Sequence, residues 1–294
     1  MRHHPHLIRA TLLSVILVFA LSISSCDKES NYIDTRSGQG YLLVRTGGMD
    51  IDLTPMSTRK STSADSAGIS RISVYLFDNT GTTIVDSCHQ EKDTPASYTS
   101  AFGDYGATLE AGNYKLVVLG YKSSQPAVVL SPTAALFPED VIRDCFCFVG
   151  DVAVRGSDTI VLNAELQRAV ARLQLVHPAA PADVDSIEIT IANGGRRLNP
   201  TTGLATASEP IRFCSANTSA GTKTMYTLLT TDSLTTEVVI RAKQGATTAF
   251  TKRLTPVPLM RNHTTVLTGN PFTAEGAGTF RFNTTYGTEI QVNF

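Results

Sequence analysis

Apolar residues at every second position recur through most of this chain and restrict it to one kind of fold. In "SRISVYLFD", Ile72, Val74 and Leu76 fall on one face of an extended strand, and Tyr75 and Phe77 fall on the other. The same period occurs in "AGNYKLVVLGY", "DTIVLNAEL", "VARLQLV", "SIEITIA" and "EVVIRAK". Turn residues separate these stretches, whereas helical periodicity is scarce. The pattern predicts an all-β protein built from sandwiches of short strands.

Residues 1–25 have the three-part layout of a secretory signal peptide. Arg2 and Arg9 precede the apolar run "ATLLSVILVFALSI", and two serines follow it. The run is shorter than the roughly 20 residues that a membrane span needs. No later stretch is long enough to be a second span, so we expect that the mature protein does not cross a membrane.

Ile23-Ser24-Ser25-Cys26 resembles a bacterial lipobox, in which cleavage after Ser25 exposes a cysteine that receives acyl chains. An ordinary signal peptide that ends in a chance cysteine is the alternative, but the small residues directly before Cys26 favour the lipobox. Each buried methylene contributes about 0.8 kcal/mol, so several acyl chains hold a folded domain on a bilayer. We therefore expect lipidation at Cys26, followed by a polar tether over residues 26–40.

The mature chain is long enough for two domains. Removing residues 1–25 removes two of the 25 basic residues and none of the 26 acidic residues, which leaves a net charge of −3. No basic patch stands out, so the composition argues against nucleic-acid binding. We place an N-terminal β-sandwich domain at residues 41–165 and a C-terminal one at residues 166–294.

Signatures of catalysis and of metal or cofactor binding are not found in the sequence. It has no G-x-S-x-G motif, no P-loop and no HExxH-like spacing, so we expect a protein that is not an enzyme and holds no cofactor or metal. "IANGGRRLNPTTG" is Gly-rich but precedes no helix, so a hairpin loop explains it better than phosphate binding. Cys145 and Cys147 are expected to be small apolar core or edge residues. A disulfide from Cys88 to either of them is left open, and Cys214 is unassigned.

The segment "MSTRKSTSADSAG", residues 56–68, differs from its surroundings. It is small and polar and lacks apolar periodicity, which predicts an exposed loop after the strand "GYLLVRTGGMDIDL". Exposed loops of this kind are where proteases cut, and Arg59 or Lys60 would be the specific target. On composition alone, a plain surface loop is the favoured interpretation.

Three stretches, in this order and spacing, resemble the fimbrillin superfamily of Bacteroidota. They are "LEAGNYKLVVLGY" at 109–121, "LQRAVARLQL" at 166–175 and "VPLMRNHTTVLTGN" at 257–270. The resemblance covers residues 40–294. It implies a surface fimbria subunit or anchor that supports adhesion, exported as an outer-membrane lipoprotein and built from two transthyretin-like or Ig-like β-sandwiches in tandem. The implied partners are other fimbrial subunits, the outer membrane through the lipid, and a ligand on a host or bacterial surface.

The resemblance also implies how such subunits join. In fimbrillins that polymerise, an arginine-specific protease cuts after the first strand, and a strand from the next subunit fills the groove that is left. In this sequence the cut would fall at Arg59, or less favourably at Arg45, and the C-terminal "TEIQVNF" is the candidate donor strand. The candidate inward residues are Leu42, Val44, Ile51 and Leu53 in the displaced strand, and Ile290, Val292 and Phe294 in the donor strand. Gly47-Gly48 could instead divide the displaced strand into two short ones with a bend.

The sequence leaves the type of subunit open. Arg59 in a polar loop favours a processed stalk or tip subunit, whereas the anchor subunits of the family keep the lipid and are not cut in this way. The alternative function is that of a monomeric surface lipoprotein that binds a glycan or a host protein through its loops. That hypothesis requires a soluble protein that binds its ligand without forming oligomers, even after a cut near Arg59.

Overall fold

The structure is a computed structural model that describes residues 38–49, 69–98, 100–138, 141–273, 281–285 and 289–293. These residues form β-strands and a short 3-10 turn at Pro95–Ser97, and none of them lies in an α-helix. The all-β class predicted from the alternating pattern is therefore confirmed.

Nine strands build the described part of the first half of the chain. They are β1 Gln39–Met49, β2 Arg71–Asp78, β3 Ile84–Glu91, β4 Asp104–Glu110, β5 Gly112–Tyr121, β6 Val128–Ser131, β7 Ala134–Leu136, β8 Cys145–Val154 and β9 Thr159–Arg168. Seven of them form one sheet in the order β3-β2-β5-β8-β9-β1-β4. Because β8 and β9 pair through Phe146–Arg168 and Cys147–Gln167, at one end of each strand, the sheet folds over there. We call β3-β2-β5-β8 the middle layer and β9-β1-β4 the outer layer.

The first hydrophobic core fills the space between these two layers. Ile72, Val74 and Leu76 of β2 contribute to it from the middle layer, and Leu42 and Val44 of β1 from the outer layer. All five are 0 % exposed. Their alternate positions in sequence place each set on one face of its strand, as the period of two predicts. The continuous strand β1 contains a register shift between Arg45 and Gly48, rather than a division into two strands.

Among the residues that the structure describes in the second half, eleven strands are found. They are β10 Val170–His177, β11 Ser186–Gly194, β12 Arg197–Asn199, β13 Leu204–Ala205, β14 Glu209–Ser215, β15 Gly221–Leu228, β16 Ser233–Gln244, β17 Thr247–Met260, β18 Thr264–Thr268, β19 Arg281–Thr285 and β20 Glu289–Asn293. One sheet has the order β15-β10-β18-β20-β19 and a second has the order β14-β11-β16-β17. A second core lies between them, with Leu173, Ile189 and Ile240 among its buried residues.

The remaining four strands form a sheet that both halves contribute to. Its order is β13-β12-β7-β6, and we call it the junction layer. It encloses a third core on the other face of the middle layer, where Tyr75 and Phe77 of β2 pack with Val129 of β6 and Leu198 of β12. β9 also continues to Arg168, three residues past the expected boundary at 165. The two halves thus share a core rather than being joined only by a linker.

The cysteines occupy different cores. Cys88 lies in the first core, whereas Cys145 and Cys147 lie in the third core, on the opposite face of the middle layer. Cys145 and Cys147 are free and buried, and Cys214 is free and exposed. The disulfide from Cys88 to Cys145 or Cys147, which the sequence leaves open, is not formed: both of these cysteines are free, and the middle layer separates them from Cys88.

Candidate functional site

Strand β1, the candidate displaced strand, lies between two partners in the outer layer. Tyr41–Arg45 run parallel to Thr159–Asn163 of β9 on one side. On the other side Gln39–Arg45 run antiparallel to Asp104–Glu110 of β4. Backbone groups on both edges of β1 are thereby paired, which a strand inside a sheet requires.

The inward side chains of β1 close the first core. Leu42 and Val44, both expected to point inward, are fully buried there. Burial of a side chain of this size contributes about 1.5–3 kcal/mol. Without β1, the outer layer would have a gap between β9 and β4, lined by apolar side chains of the first core. Ile51 and Leu53, the other two expected inward residues, lie outside the described residues.

Of the two candidate cleavage positions, only Arg45 lies within the residues that the structure describes. Arg45 has an exposed side chain, but its backbone lies within β1, opposite Asp104 on β4 and Asn163 on β9. A protease that needs an extended, unpaired segment could cut there only after β1 had left the sheet. Arg59 lies outside the described residues, as do Ser25 and Cys26 at the expected signal cleavage and lipidation site.

The candidate donor strand is part of this chain's own second half. In β20, Ile290 lies opposite Thr265 of β18 and Val292 lies opposite Leu267, in a parallel register. On its other edge β20 pairs antiparallel with β19. Phe294 lies outside the described residues. Donation to a neighbouring subunit would therefore begin with the separation of β20 from β18.

A buried ion pair joins the two halves beside the third core. The Arg168 guanidinium donates to both carboxylate oxygens of Asp144, at 2.8 and 3.2 Å, and to Oδ1 of Asn262, at 2.9 Å. It also lies 4.7 Å from the ring centre of Phe146. Burial raises the pKa of Asp144, and the positive charge of Arg168 opposes this effect. The pair thus offsets part of the cost of burying the Asp144 carboxylate.

Both sides of this contact lie in motif stretches, but their spacing in the sequence does not indicate that they pair. Arg168 belongs to "LQRAVARLQL" and Asn262 to "VPLMRNHTTVLTGN", two of the three stretches that carry the family resemblance. A charged residue at the start of an otherwise apolar alternating run was the available signal. Asn262 has a positive φ of 60°, and its backbone N–H donates to the carbonyl of Val170 at 2.9 Å. These stretches therefore fix how the two halves meet.

The Gly-rich stretch at 191–203 contains the hairpin expected for it. β12 and β13 pair antiparallel through Leu198–Ala205 and Asn199–Leu204. Beside this hairpin lies a cavity of about 290 Å³, lined by Leu136, Phe137, Ile142, Arg196, Arg197 and Glu209. These six side chains include no nucleophile beside a base, so the cavity has no catalytic arrangement.

Two further findings concern metals and membranes. Within the part of the chain that the structure describes, no three His, Cys, Asp or Glu side chains are grouped so as to hold a metal ion. In the same part of the chain, no helix has the length and apolar character needed to span a bilayer.

Several solved structures are similar to this chain at low sequence identity. A proposed polysaccharide-binding protein from Bacteroides thetaiotaomicron VPI-5482 is 14 % identical with a TM-score of 0.49, over 72 % of this chain and 79 % of that chain. The fimbrial anchor protein Mfa2 from Porphyromonas gingivalis is 14 % identical with a TM-score of 0.44, over 72 % and 81 %. A fimbrial assembly protein from Parabacteroides distasonis ATCC 8503 is 12 % identical with a TM-score of 0.44, over 79 % and 91 %. Similarity this remote carries no argument about function.

The comparison of sequences is more decisive. No curated protein matches the chain. The sequence profile of one family matches residues 37–293, which include β1, both halves and the three motif stretches. That match covers far more than half of the sequence. The chain therefore belongs to the family of Fimbrillin-A associated anchor proteins Mfa1 and Mfa2, and has a structural role in a cell-surface fimbria.

Proposed function

We propose that this chain is the membrane anchor of a surface fimbria. Acyl chains on Cys26 hold it in the outer membrane, and the folded body beyond the tether holds the neighbouring fimbrial subunit. Membership of a family of anchor proteins supports this role. The observation that carries the mechanism is the position of β1, which is paired on both edges and buried through Leu42 and Val44.

A subunit that keeps β1 can donate a strand to a neighbour but cannot accept a strand into its own outer layer. β1 already satisfies the backbone groups of β9 and β4 that face each other across it. A strand from a neighbour therefore finds neither an open edge nor an apolar groove there. Exchange in the remaining direction uses the C-terminal strand of this chain. Such a subunit ends a head-to-tail polymer on one side, as an anchor must.

The C-terminal segment has the pattern that donation needs. Ile290, Val292 and Phe294 alternate with polar residues, so one face of the extended segment is apolar. Burial of each such side chain contributes about 1.5–3 kcal/mol, in addition to main-chain hydrogen bonds. Three of them in the groove of a neighbour that has lost its own first strand make a long-lived junction.

Cleavage at Arg59 followed by departure of β1 would convert the same fold into an acceptor. Loss of β1 would remove Leu42 and Val44 from the first core and leave β9 and β4 with unpaired edges. The mature N-terminus at the cell surface separates the two roles. An acylated Cys26 identifies an anchor, whereas Lys60 identifies a polymerising subunit. Mass spectrometry of the surface-exposed protein measures this directly.

We expect Val292→Asp to release fimbriae into the medium without removing the anchor from the cell. A charged side chain in an apolar pocket costs several kcal/mol unless it is paired, so the fraction of fimbriae retained on cells should fall at least about tenfold. Immunoblots of fimbrial subunits in cells and medium measure the fraction retained. Gln291→Asp, which adds the same charge at the adjacent position on the polar face, is the matched control. Equal retention in the wild type and Val292→Asp would rule out donation by this segment.

A further inference from the structure

We propose that β1 is held by a clasp at each end of its ladder with β4, and that these clasps keep it in place after the chain is cut in the segment that follows it. The inference rests on the proposed function, in which the first strand stays. Hydrogen bonds at residues other than the buried Leu42 and Val44 are what keep β1 in place.

The C-terminal clasp consists of Thr46, Gly103 and Gln90. Thr46 is 3 % exposed and donates twice to the carbonyl oxygen of Gly103, from its backbone nitrogen at 3.1 Å and from its hydroxyl at 3.0 Å. Gly103 has a φ of +104°, and a Cβ there would lie 2.1 Å from Oγ1 of Thr46. A glycine is therefore required for β1 and this turn to come so close.

Gln90 fastens that turn to the opposite layer. Its side chain is 0 % exposed and comes from β3, in the middle layer. Its Nε2 donates to the carbonyl of Asp104 at 2.6 Å, and its Oε1 accepts from the backbone nitrogen of Gly103 at 2.7 Å. A buried amide that loses its hydrogen-bond partners destabilises the folded state. Gln90 therefore favours the one arrangement of the turn in which both of its hydrogen bonds are made. The point where the pairing of β1 with β4 ends is thereby connected to both layers of the sandwich.

The N-terminal clasp holds residues 38–41 from two turns. Ala111, after β4, donates its backbone N–H to the carbonyl of Gly38 at 2.7 Å. In the turn between β8 and β9, Ser157 donates to the carbonyl of Gln39 at 2.7 Å, and Asp158 accepts from the backbone nitrogen of Tyr41 at 2.8 Å. These bonds lie outside the regular ladder, so they secure the point where the strand begins.

Two glycines let β1 lie close to its neighbours at this end. A Cβ on Gly40 would lie 2.7 Å from the carbonyl oxygen of Arg155. A Cβ on Gly106 of β4 would lie 2.1 Å from the hydroxyl oxygen of Tyr41, so the tyrosine ring lies over the bare backbone of the neighbouring strand. Larger residues at either position would push β1 away.

The two clasps matter because a strand leaves a sheet from its ends. Terminal residues fray at low cost, and an invading strand can then replace the pairing step by step. In this protein both ends carry hydrogen bonds to other turns, and one of them also reaches across the sandwich. Release of β1 thus requires the loss of a clasp before the ladder can open.

The test uses the full chain with the recognition sequence of a site-specific protease inserted after Arg59. After complete cutting under native conditions, gel filtration and mass spectrometry follow how much of the segment before the cut stays bound. We expect retention in the wild type. Thr46→Val keeps the shape of the side chain but removes its hydroxyl, and should release the segment about tenfold faster. Gln90→Leu leaves two buried backbone groups unpaired and should release it about 100-fold faster.

Thr227→Val is the matched control. Thr227 is 0 % exposed, and its hydroxyl donates to the carbonyl of Leu228 in the second half, away from β1. It should release the segment at the wild-type rate. Prompt loss of the segment from the cut wild type, or equal rates for Thr46→Val and Thr227→Val, would overturn the clasp. Such a result would leave the anchor role standing, since an uncut anchor keeps β1 covalently. Failure of the anchor role would instead appear as a mature N-terminus at Lys60 rather than at an acylated Cys26.

Discussion

Replacement of Arg168 by methionine is expected to lower the free energy of unfolding by about 3–5 kcal/mol at neutral pH. Methionine keeps much of the apolar stem but removes the guanidinium that donates to both oxygens of Asp144. The carboxylate would then be buried without its partner, and Asn262 would lose its donor. The effect is large because Arg168 is 5 % exposed in its side chain and Asp144 is 15 % exposed.

The pH dependence of this loss in stability shows whether it is caused by the buried, unpaired charge of Asp144 or by lost packing. Burial already raises the pKa of Asp144, and removal of the Arg168 charge that opposes it would raise the pKa further. The folded variant then binds a proton more tightly than the unfolded chain, so its stability rises as the pH falls through the folded pKa. We expect the deficit of Arg168→Met to be smaller at pH 4 than at pH 7. A deficit caused by packing alone would not change with pH.

Urea unfolding at the two pH values measures both effects. Arg253→Met is the control, because it removes the same side chain from an exposed pair with Glu237, in which the two side chains are 51 % and 38 % exposed. It should cost less than about 1 kcal/mol. The double variant Arg168→Met with Asp144→Leu should recover most of the loss, because an apolar pair can replace a buried ion pair. A loss below 1 kcal/mol for Arg168→Met would mean that the junction does not depend on this pair.

Replacement of Cys26 by serine is expected to abolish acylation and outer-membrane attachment of the protein. A serine cannot form the thioether or receive the acyl chains, each of whose buried methylenes contributes about 0.8 kcal/mol to membrane binding. The sequence of residues 27–40 is mostly polar and contains no long apolar run. Fimbriae should then be lost from the cells together with their anchor.

Incorporation of an alkynyl fatty acid, followed by fractionation of membranes, measures both consequences. Cys214→Ser is the matched control, because Cys214 is a free, exposed cysteine in the second half. It should leave labelling and outer-membrane attachment unchanged. Outer-membrane attachment of Cys26→Ser at the wild-type level would show that the chain is held by something other than this lipid.

The strands and their buried faces could be predicted because they follow from local spacing. In β2, Ile72, Val74 and Leu76 face the first core, and Tyr75 and Phe77 face the third core, as the alternation predicts. Both faces of this strand are apolar because a core lies on each side of it. The inward direction of Leu42 and Val44 in β1 was predicted correctly for the same reason.

The partners of those faces could not be predicted in the same way. The sequence suggested two sandwiches in tandem, but β12 and β13 from the second half join β6 and β7 from the first half in one sheet. The pairing of Cys88 was left open because the spacing does not indicate which core each cysteine enters. No sequence pattern predicts the roles of Thr46, Gly103 and Gln90, since a threonine, a turn glycine and a glutamine are ordinary in a β-rich sequence.

The sequence by itself determined the backbone class, the inward and outward positions along each strand, and the family. The tertiary structure decided which strands lie side by side and that the halves share a core. It also decided which groups form hydrogen bonds with the side chains of Arg168 and Gln90. The reason is that side-chain direction in a strand is set by a two-residue period of the backbone, which is visible in any short window. Pairing and burial of polar groups depend instead on contacts between distant segments, and these exist only once the chain has folded.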